Sequence, residues 1–454
     1  MGKEKVCSVN LRRDIKTLTA PIFIELLLVT TMGATDTFML SQYADDSVAA
    51  VGVANQLITF AFLVFQIINI GTTVLCSQYL GAGRRDKMEQ ITALALGLNL
   101  VVGIIISLIL SLGAPLLLSW MGLKPDLMQY GLPYMQIAGA GAIFQAMHLT
   151  VSASLRADHK AIYPMLVVML VNVVNIIGNY SLIFGHFGLP ALGVEGAAIA
   201  TNISRGTAMV TLFIILFTRH IPLRRLIDAV KVPFATLNNE MMKLLKIGLP
   251  SAGENMSYNA QQVVLTYFIN LLGNNALTTR MYVVNGLIFV YIFSICIAQG
   301  TAIVIGHLIG DNKYQASYIV GWYALRLAIC CTMVLSLCYA LTGRQIMDLL
   351  TDNPDIIALG ATILIIDIAV EVGKVSNIFY TNVLRSVGDV NFPFYIGITM
   401  QWLVGVLFGW IFGLGLGWGL IGMWIAMFLD EGIRGAIFVW RWKSWRWKKG
   451  SFVS

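Results

Sequence analysis

The chain has 454 residues, 57% of them hydrophobic and only 12% charged, with a net charge of +7 and a mean hydropathy of +0.78. Soluble domains carry about 25% charged residues, so the composition excludes disorder and an ordinary soluble fold. The basic excess does not indicate nucleic acid, because no soluble body carries it. The expected fold class is an all-α integral membrane protein.

A membrane helix needs about 20 apolar residues. Such runs fall at 18–40, 48–76, 91–119, 129–150, 162–185, 190–217, 246–270, 278–306, 319–342, 356–383, 393–413 and 418–440, which gives twelve predicted spans. Runs of this length without alternation exclude a β-barrel. Met1 to Lys16 is polar and no small-residue cleavage site follows, so no cleavable signal peptide is expected. Cys7, Cys76, Cys296, Cys330, Cys331 and Cys338 form no CxxC pair and mostly sit in apolar runs. They read as small core residues, without disulfides or a metal site.

The basic residues orient the spans. With the N-terminus in the cytoplasm, Lys3, Lys5, Arg12, Arg13, Lys16, Arg84, Arg85, Lys87, Arg156, Lys160, Arg385 and the basic C-terminus are all inside. The outer loops keep only Lys124, Arg280 and Arg344. The positive-inside rule therefore places both termini in the cytoplasm of a plasma (inner) membrane protein. The terminal WRWKSWRWKK mixes Trp with Lys and Arg and reads as an anchor at the lipid headgroups.

The longest polar inner segment, Arg219 to Lys246, divides the chain into equal halves. A shift of 229 residues brings Pro21 onto Pro250, Glu25 onto Glu254, Gly71 onto Gly300, Leu155–Arg156 onto Leu384–Arg385, Pro164 onto Pro393 and Arg205 onto Arg434. One ungapped offset over six spans is an internal repeat. It predicts an N-lobe at 1–217, a cytoplasmic linker at 218–245, a C-lobe at 246–440 and a basic, aromatic tail at 441–454. Six spans per repeat insert the two pseudo-symmetric lobes the same way up, about an axis along the membrane normal.

A charge within a span costs at least about 2.5–3.5 kcal/mol, so each one calls for a reason. Those present are Glu25, Asp36, Arg205, Glu254, Arg326, Asp367, Glu371, Lys374, Asp430, Glu431 and Arg434. Asp36 is matched in the repeat by Leu265, so its charge is no symmetric packing device. Span five offers Asn172, Asn175 and Asn179, the last two on one helical face, and span six offers Thr201. A carboxylate, two amides and a hydroxyl form an oxygen cage suited to sodium. The same carboxylate could instead take a proton, or simply lock helices through hydrogen bonds.

These residues, with the turns LGAGRRD and IGDNKYQ, the segments SLRADHK and VLRSVGD, and GVEGAAIAT in span six, resemble the multidrug and toxic compound extrusion (MATE) family over essentially the whole chain. The resemblance implies a cation site at Asp36, Asn175, Asn179 and Thr201. It also implies export of amphipathic, often cationic compounds in exchange for sodium or protons. One branch of the family carries a Glu in span seven and an Asp in span ten. Here Lys374 holds the span-ten position and Tyr258 with its neighbours the other, so no C-lobe cation site carries over.

The C-lobe charges have a reading of their own. Glu254, Glu371 and Lys374 are expected to form a buried ionic cluster, and Asp430 with Arg434 an i, i+4 pair. Arg205 either snorkels or pairs with Glu25. A substrate cleft is expected to draw on Glu25, Asn55, Tyr258, Asn259, Gln262 and Tyr291.

The function expected is alternating-access antiport of a small amphipathic or cationic substrate by a monomer, with membrane lipid as the other partner. No cofactor beyond the coupling ion and no nucleic acid is expected. A flippase of lipid-linked precursors is the alternative, but the in-span basic residues are scattered where a diphosphate groove would cluster them. An enzyme is not expected, because the five histidines do not cluster and no Ser–His constellation is visible. No P-loop is present, which excludes ATP-driven transport within this chain.

Overall fold

The computed structural model describes residues 2–450 and 452, with side chains from Arg13 onward except that of Lys449. Met1 and the side chains of Lys3, Lys5, Cys7 and Arg12 thus lie outside the described residues.

The first half comprises α1 (Gly2–Tyr43), α2 (Asp45–Gly81), α3 (Arg85–Leu112), α4 (Ala114–Trp120), α5 (Pro125–Ala140), α6 (Ala142–Ala157), α7 (Ile162–Phe184) and α8 (Val194–Ile215). A π turn, Leu216–His220, extends α8. Next come α9 (Leu223–Ala229), α10 (Phe234–Leu271), α11 (Asn274–Gly310), α12 (Tyr314–Leu341), α13 (Gly343–Leu350) and α14 (Pro354–Ser386). The chain closes with α15 (Asn391–Met400), α16 (Leu407–Trp410) and α17 (Gly419–Lys443), with π turns Gln401–Val406 and Ile411–Gly415 on either side of α16. No strand occurs among the described residues.

The repeat holds to the residue. Both α2 and α11 have 37 residues and both α3 and α12 have 28, each pair offset by the sequence shift. The 33-residue α14 covers the shifted limits of α5 and α6 together. The halves differ at Gly141, where the N-lobe span breaks, while its mate Val370 lies inside continuous α14. Asn202 explains the break: its Nδ2 donates to the Ile137 carbonyl at 2.5 Å, and its side chain occupies the space a Cβ at Gly141 would need. The side chain thus takes over a backbone acceptor that the interrupted helix leaves open.

Nine helical segments among the described residues are long and apolar enough to cross a membrane. The other three predicted spans coincide with α5–α6, α10 and α17. The first is broken at Gly141, and the last carries Asp430, Glu431 and Arg434 in its middle.

Packing defines two units, one of residues 20–248 and one of 249–454 together with the described residues up to Thr19. The segment expected as a linker is partly helical. It holds α9 and the start of α10, and it packs within the first unit, where Glu240 accepts from the Tyr79 hydroxyl at 2.6 Å. Two repeat-related glycines allow close approaches, one within each unit. A Cβ on Gly71 would lie 2.6 Å from the Leu244 carbonyl oxygen, and one on Gly300 would lie 2.8 Å from Thr19 Oγ1. Each unit has its own apolar core, around Phe65, Met135 and Ile183 in one and Val283, Leu364 and Trp424 in the other.

The C-terminal tail is folded onto the second unit. Trp442 and Trp447 are buried and stacked on each other at 4.3 Å, and Trp447 Nε1 donates to the Trp442 carbonyl at 2.9 Å. Tyr318 stacks on Trp445 at 4.6 Å, and Arg441 pairs with Asp389 at 2.7 Å. These rings fold against α12 and α14, and Trp440 is exposed. The cysteines divide as well. Cys76 and Cys296 are buried as expected, whereas Cys330 and Cys338 are exposed on α12.

Candidate functional site

In the N-lobe unit, α1 and α7 bring Asp36 to the asparagine pair. Asn179 Nδ2 donates to Asp36 Oδ1 at 2.5 Å and to Asn175 Oδ1 at 3.2 Å. Both asparagines are fully buried, while Asp36 is half-buried. Positions 175 and 179 share a face because they are one turn apart. That face meets α8 closely, since a Cβ on Gly178 would lie 3.0 Å from the Ala200 Cβ. Thr201, one residue on, is buried and donates to its own helix at Ala197 O, at 2.9 Å. Asn172 donates to Val168 O at 2.9 Å, within α7.

Two further groups complete the neighbourhood. The Tyr134 hydroxyl donates to Asn55 Oδ1 at 3.1 Å and is within hydrogen-bonding reach of Thr201. Arg205, one turn beyond Thr201 on α8, is within electrostatic reach of Asp36. Arg205 neither snorkels nor pairs with Glu25. Its guanidinium donates to the Ala138 carbonyl at 3.4 Å and lies over the Phe62 ring at 5.1 Å.

The donor set suits a hard cation. Asn179 Oδ1 is a buried acceptor with no hydrogen-bond partner among the described residues. The Asp36 carboxylate and the Thr201 hydroxyl offer further oxygen lone pairs. No group of three His, Cys, Asp or Glu that could hold a metal occurs among the described residues.

The C-lobe charges fall into separate groups. Lys374 Nζ meets Glu371 Oε1 at 2.7 Å and lies over the Tyr291 ring at 4.1 Å. Glu254 does not join them. It accepts from Arg385 Nη2 at 2.7 Å, so the expected trio is divided. Arg385 lies eleven residues beyond Lys374 on α14, and both its side chain and that of Glu254 are buried. Asp430 pairs with Arg434 at 2.8 Å as the spacing suggests, and Glu431 joins the same guanidinium at 2.9 Å.

The expected cleft residues are differently engaged. Glu25 pairs with Arg156 at 3.0 Å, and Gln262 Oε1 accepts from Arg280 at 3.0 Å. Asn259 is exposed and donates to Asn255 O at 2.8 Å. Tyr258 and Tyr291 are half-buried, and Asn55 belongs to the Asp36 neighbourhood.

The structure also assembles a Ser–His–Asp arrangement that the sequence hides. His220 Nδ1 lies 3.0 Å from Asp158 Oδ2, and its Nε2 lies 3.2 Å from Ser154 Oγ. Ser154 is fully buried and also shares a 2.9 Å hydrogen bond with Thr92, so no substrate carbonyl can reach it. The arrangement ties α6 to the end of α8 and α3.

Two repeated halves of long apolar helices define a multi-pass membrane protein of the two-lobed transporter class. The chain belongs to the MatE family, whose model matches residues 21–181 and 250–411, one stretch in each repeat. It is 38% identical over 430 residues to the uncharacterized transporter YisQ of Bacillus subtilis, covering 95% of this chain and 94% of that one. It is 24% identical over 458 residues to a probable multidrug resistance protein NorM of Thermotoga maritima, covering 100% and 96%. The fold superposes on a crystal structure of MATE in the bent conformation with a TM-score of 0.88 at 20% identity, covering 97% and 96%. A MOP superfamily transporter from Pyrococcus furiosus matches with a TM-score of 0.86 at 20% identity, covering 96% and 95%.

Proposed function

We propose that the chain is a cation-coupled antiporter that exports amphipathic, often cationic compounds by alternating access of its two lobes, with Asp36 as the coupling carboxylate. The reading rests on one observation: a carboxylate held at 2.5 Å by a buried asparagine whose own acceptor oxygen is left open. A sodium ion or a proton on Asp36 would stabilise one arrangement of the lobes and cargo the other, and coupling needs only that difference in affinity. The NorM relatives support a multidrug cargo. The basic residues Arg156, Arg385, Lys374 and Arg434 are each paired with a carboxylate, which leaves them poorly suited to a lipid diphosphate. We assign the protein to the plasma membrane with both termini in the cytoplasm, acting as a monomer.

The test is purified protein in liposomes, with dye efflux driven separately by a sodium gradient and a pH gradient. Wild type should respond to at least one gradient and Asp36→Asn to neither, at equal reconstitution. Efflux retained by Asp36→Asn would remove the assignment.

A further inference from the structure

The N-lobe unit contains a buried histidine that the cation site does not use. Both ring nitrogens of His148 lack a hydrogen-bond partner among the described residues, and the residue is 8% exposed. A neutral imidazole carries one N–H donor and one bare nitrogen acceptor. Leaving both unmade in a protein interior is costly, and orphans of this kind call for an explanation.

His148 is one of a row. His148, Ser152 and Arg156 follow one another at i, i+4 and i+8 on α6, so they share a face over about 12 Å. Ser152 Oγ is a buried atom without a partner as well. Arg156 ends the row on Glu25, whose second oxygen Oε2 is again a buried orphan. At the other end the imidazole is within electrostatic reach of Arg205, which is itself within reach of Asp36. Arg156 on its own helix and Arg205 on α8 are the charged groups that face it. From α2 and α3, packed on the other flank of α6, come the uncharged Asn69 and Asn99, which are bonded with Thr150.

The second repeat supplies an internal control. The mates of His148 and Ser152 are Asn377 and Thr381, on one face of α14. Asn377 donates to Glu431 at 2.7 Å and accepts from Thr381 at 3.3 Å. The C-lobe row is thus closed by hydrogen bonds and holds no titratable station at the position of His148.

We propose that the N-lobe row is a hydrated proton path joining Asp36 to the Glu25–Arg156 pair, with His148 as its relay. The proposal deepens the reading of Asp36 as the coupling carboxylate and names the proton as the ion. A proton leaving Asp36 arrives, through water, at the bare nitrogen of His148, and the N–H on the other nitrogen departs along Ser152 to Glu25. The ring ends neutral in its other tautomer and a ring flip restores it, so protons balance at every step.

The test uses the full chain in liposomes, with His148→Asn copying the C-lobe residue. Exchange driven by a pH gradient should fall by at least about tenfold and lose the wild-type pH profile, while dye affinity is unchanged. His148→Ala should recover exchange when imidazole is added, which a packing role would not allow. A wild-type rate and pH profile in folded His148→Asn overturns the proposal. Should that variant misfold, Ser152→Val interrupts the same row: slowed exchange supports the path and a wild-type rate overturns it. Asp36→Asn run alongside separates the two ideas. Exchange lost there but normal in His148→Asn removes the path alone; exchange retained in Asp36→Asn removes the coupling assignment itself.

Discussion

Glu254 accepts a charge-assisted hydrogen bond from Arg385 at 2.7 Å, with both side chains buried. The same contact recurs one repeat earlier between Glu25 and Arg156 at 3.0 Å. Each joins the proline-containing helix of its repeat to the end of the fourth span. Removing one partner strands a charge in a low-dielectric interior, whereas removing both does not. Arg385→Met or Glu254→Leu alone should lower unfolding stability by about 3–5 kcal/mol, and the double variant should recover most of the loss. Thermal or denaturant unfolding in detergent, read as a double-mutant cycle, checks this. Additive losses would mean the pair is not coupled.

That relationship shows where sequence reading stops. The spans, the repeat and the Asp36–Asn175–Asn179 grouping were legible, because hydropathy runs, matched prolines and one-turn spacing each express local geometry. Arg156 and Arg385 follow the apolar runs at 129–150 and 356–383, so hydropathy alone does not place them in helices. The signal that could have placed them was the joint recurrence of Glu and Leu–Arg at one offset. Tyr134 was missed because a tyrosine in an apolar run looks like packing, although its buried hydroxyl requires a partner. The Ser154–His220–Asp158 contact joins residues 66 positions apart across three helices, and no local pattern encodes it.

Asn179 bonds both Asp36 and Asn175. Asn179→Ala should therefore weaken cation dependence of efflux by at least about tenfold, the size of a charge-assisted hydrogen bond. Thr201→Ala should do less, because its hydroxyl is already committed to Ala197 O. Dye efflux against coupling-ion concentration checks the order, and a larger effect from Thr201→Ala would reverse the roles given to the two residues.

Asp158, at the end of α6, should make stability pH-dependent. Burial opposes its ionisation, but hydrogen bonds from His220 and Lys160 outweigh burial and hold the carboxyl well below its ordinary range. A depressed folded-state value contributes stability that is fully present above the unfolded carboxylate value of about 4. It is lost as pH falls through the folded value. Melting temperature should drop on acidification below about pH 4, and Asp158→Asn should flatten that limb while lowering stability near neutrality. Parallel acid limbs in the two proteins would show that Asp158 is not the group responsible.

The folded tail makes the last prediction. Trp442 fills space that a Cβ on Gly321 would share, with its Cζ2 2.8 Å from that position, and it stacks on Trp447. Because no other side chain can replace so large a buried ring, Trp442→Ala should cost about 3–5 kcal/mol. Trp447→Ala should destabilise in the same direction, and Gly321→Ala should do so by forcing the indole aside. Trp440 is half exposed at 50%, so Trp440→Ala should leave stability nearly unchanged. A headgroup anchor would invert this order: truncating the tail would then alter behaviour only in lipid and leave unfolding in detergent untouched. Melting temperatures of the four variants in detergent decide between the two, since burial against α12 and α14 acts whether or not a bilayer is present.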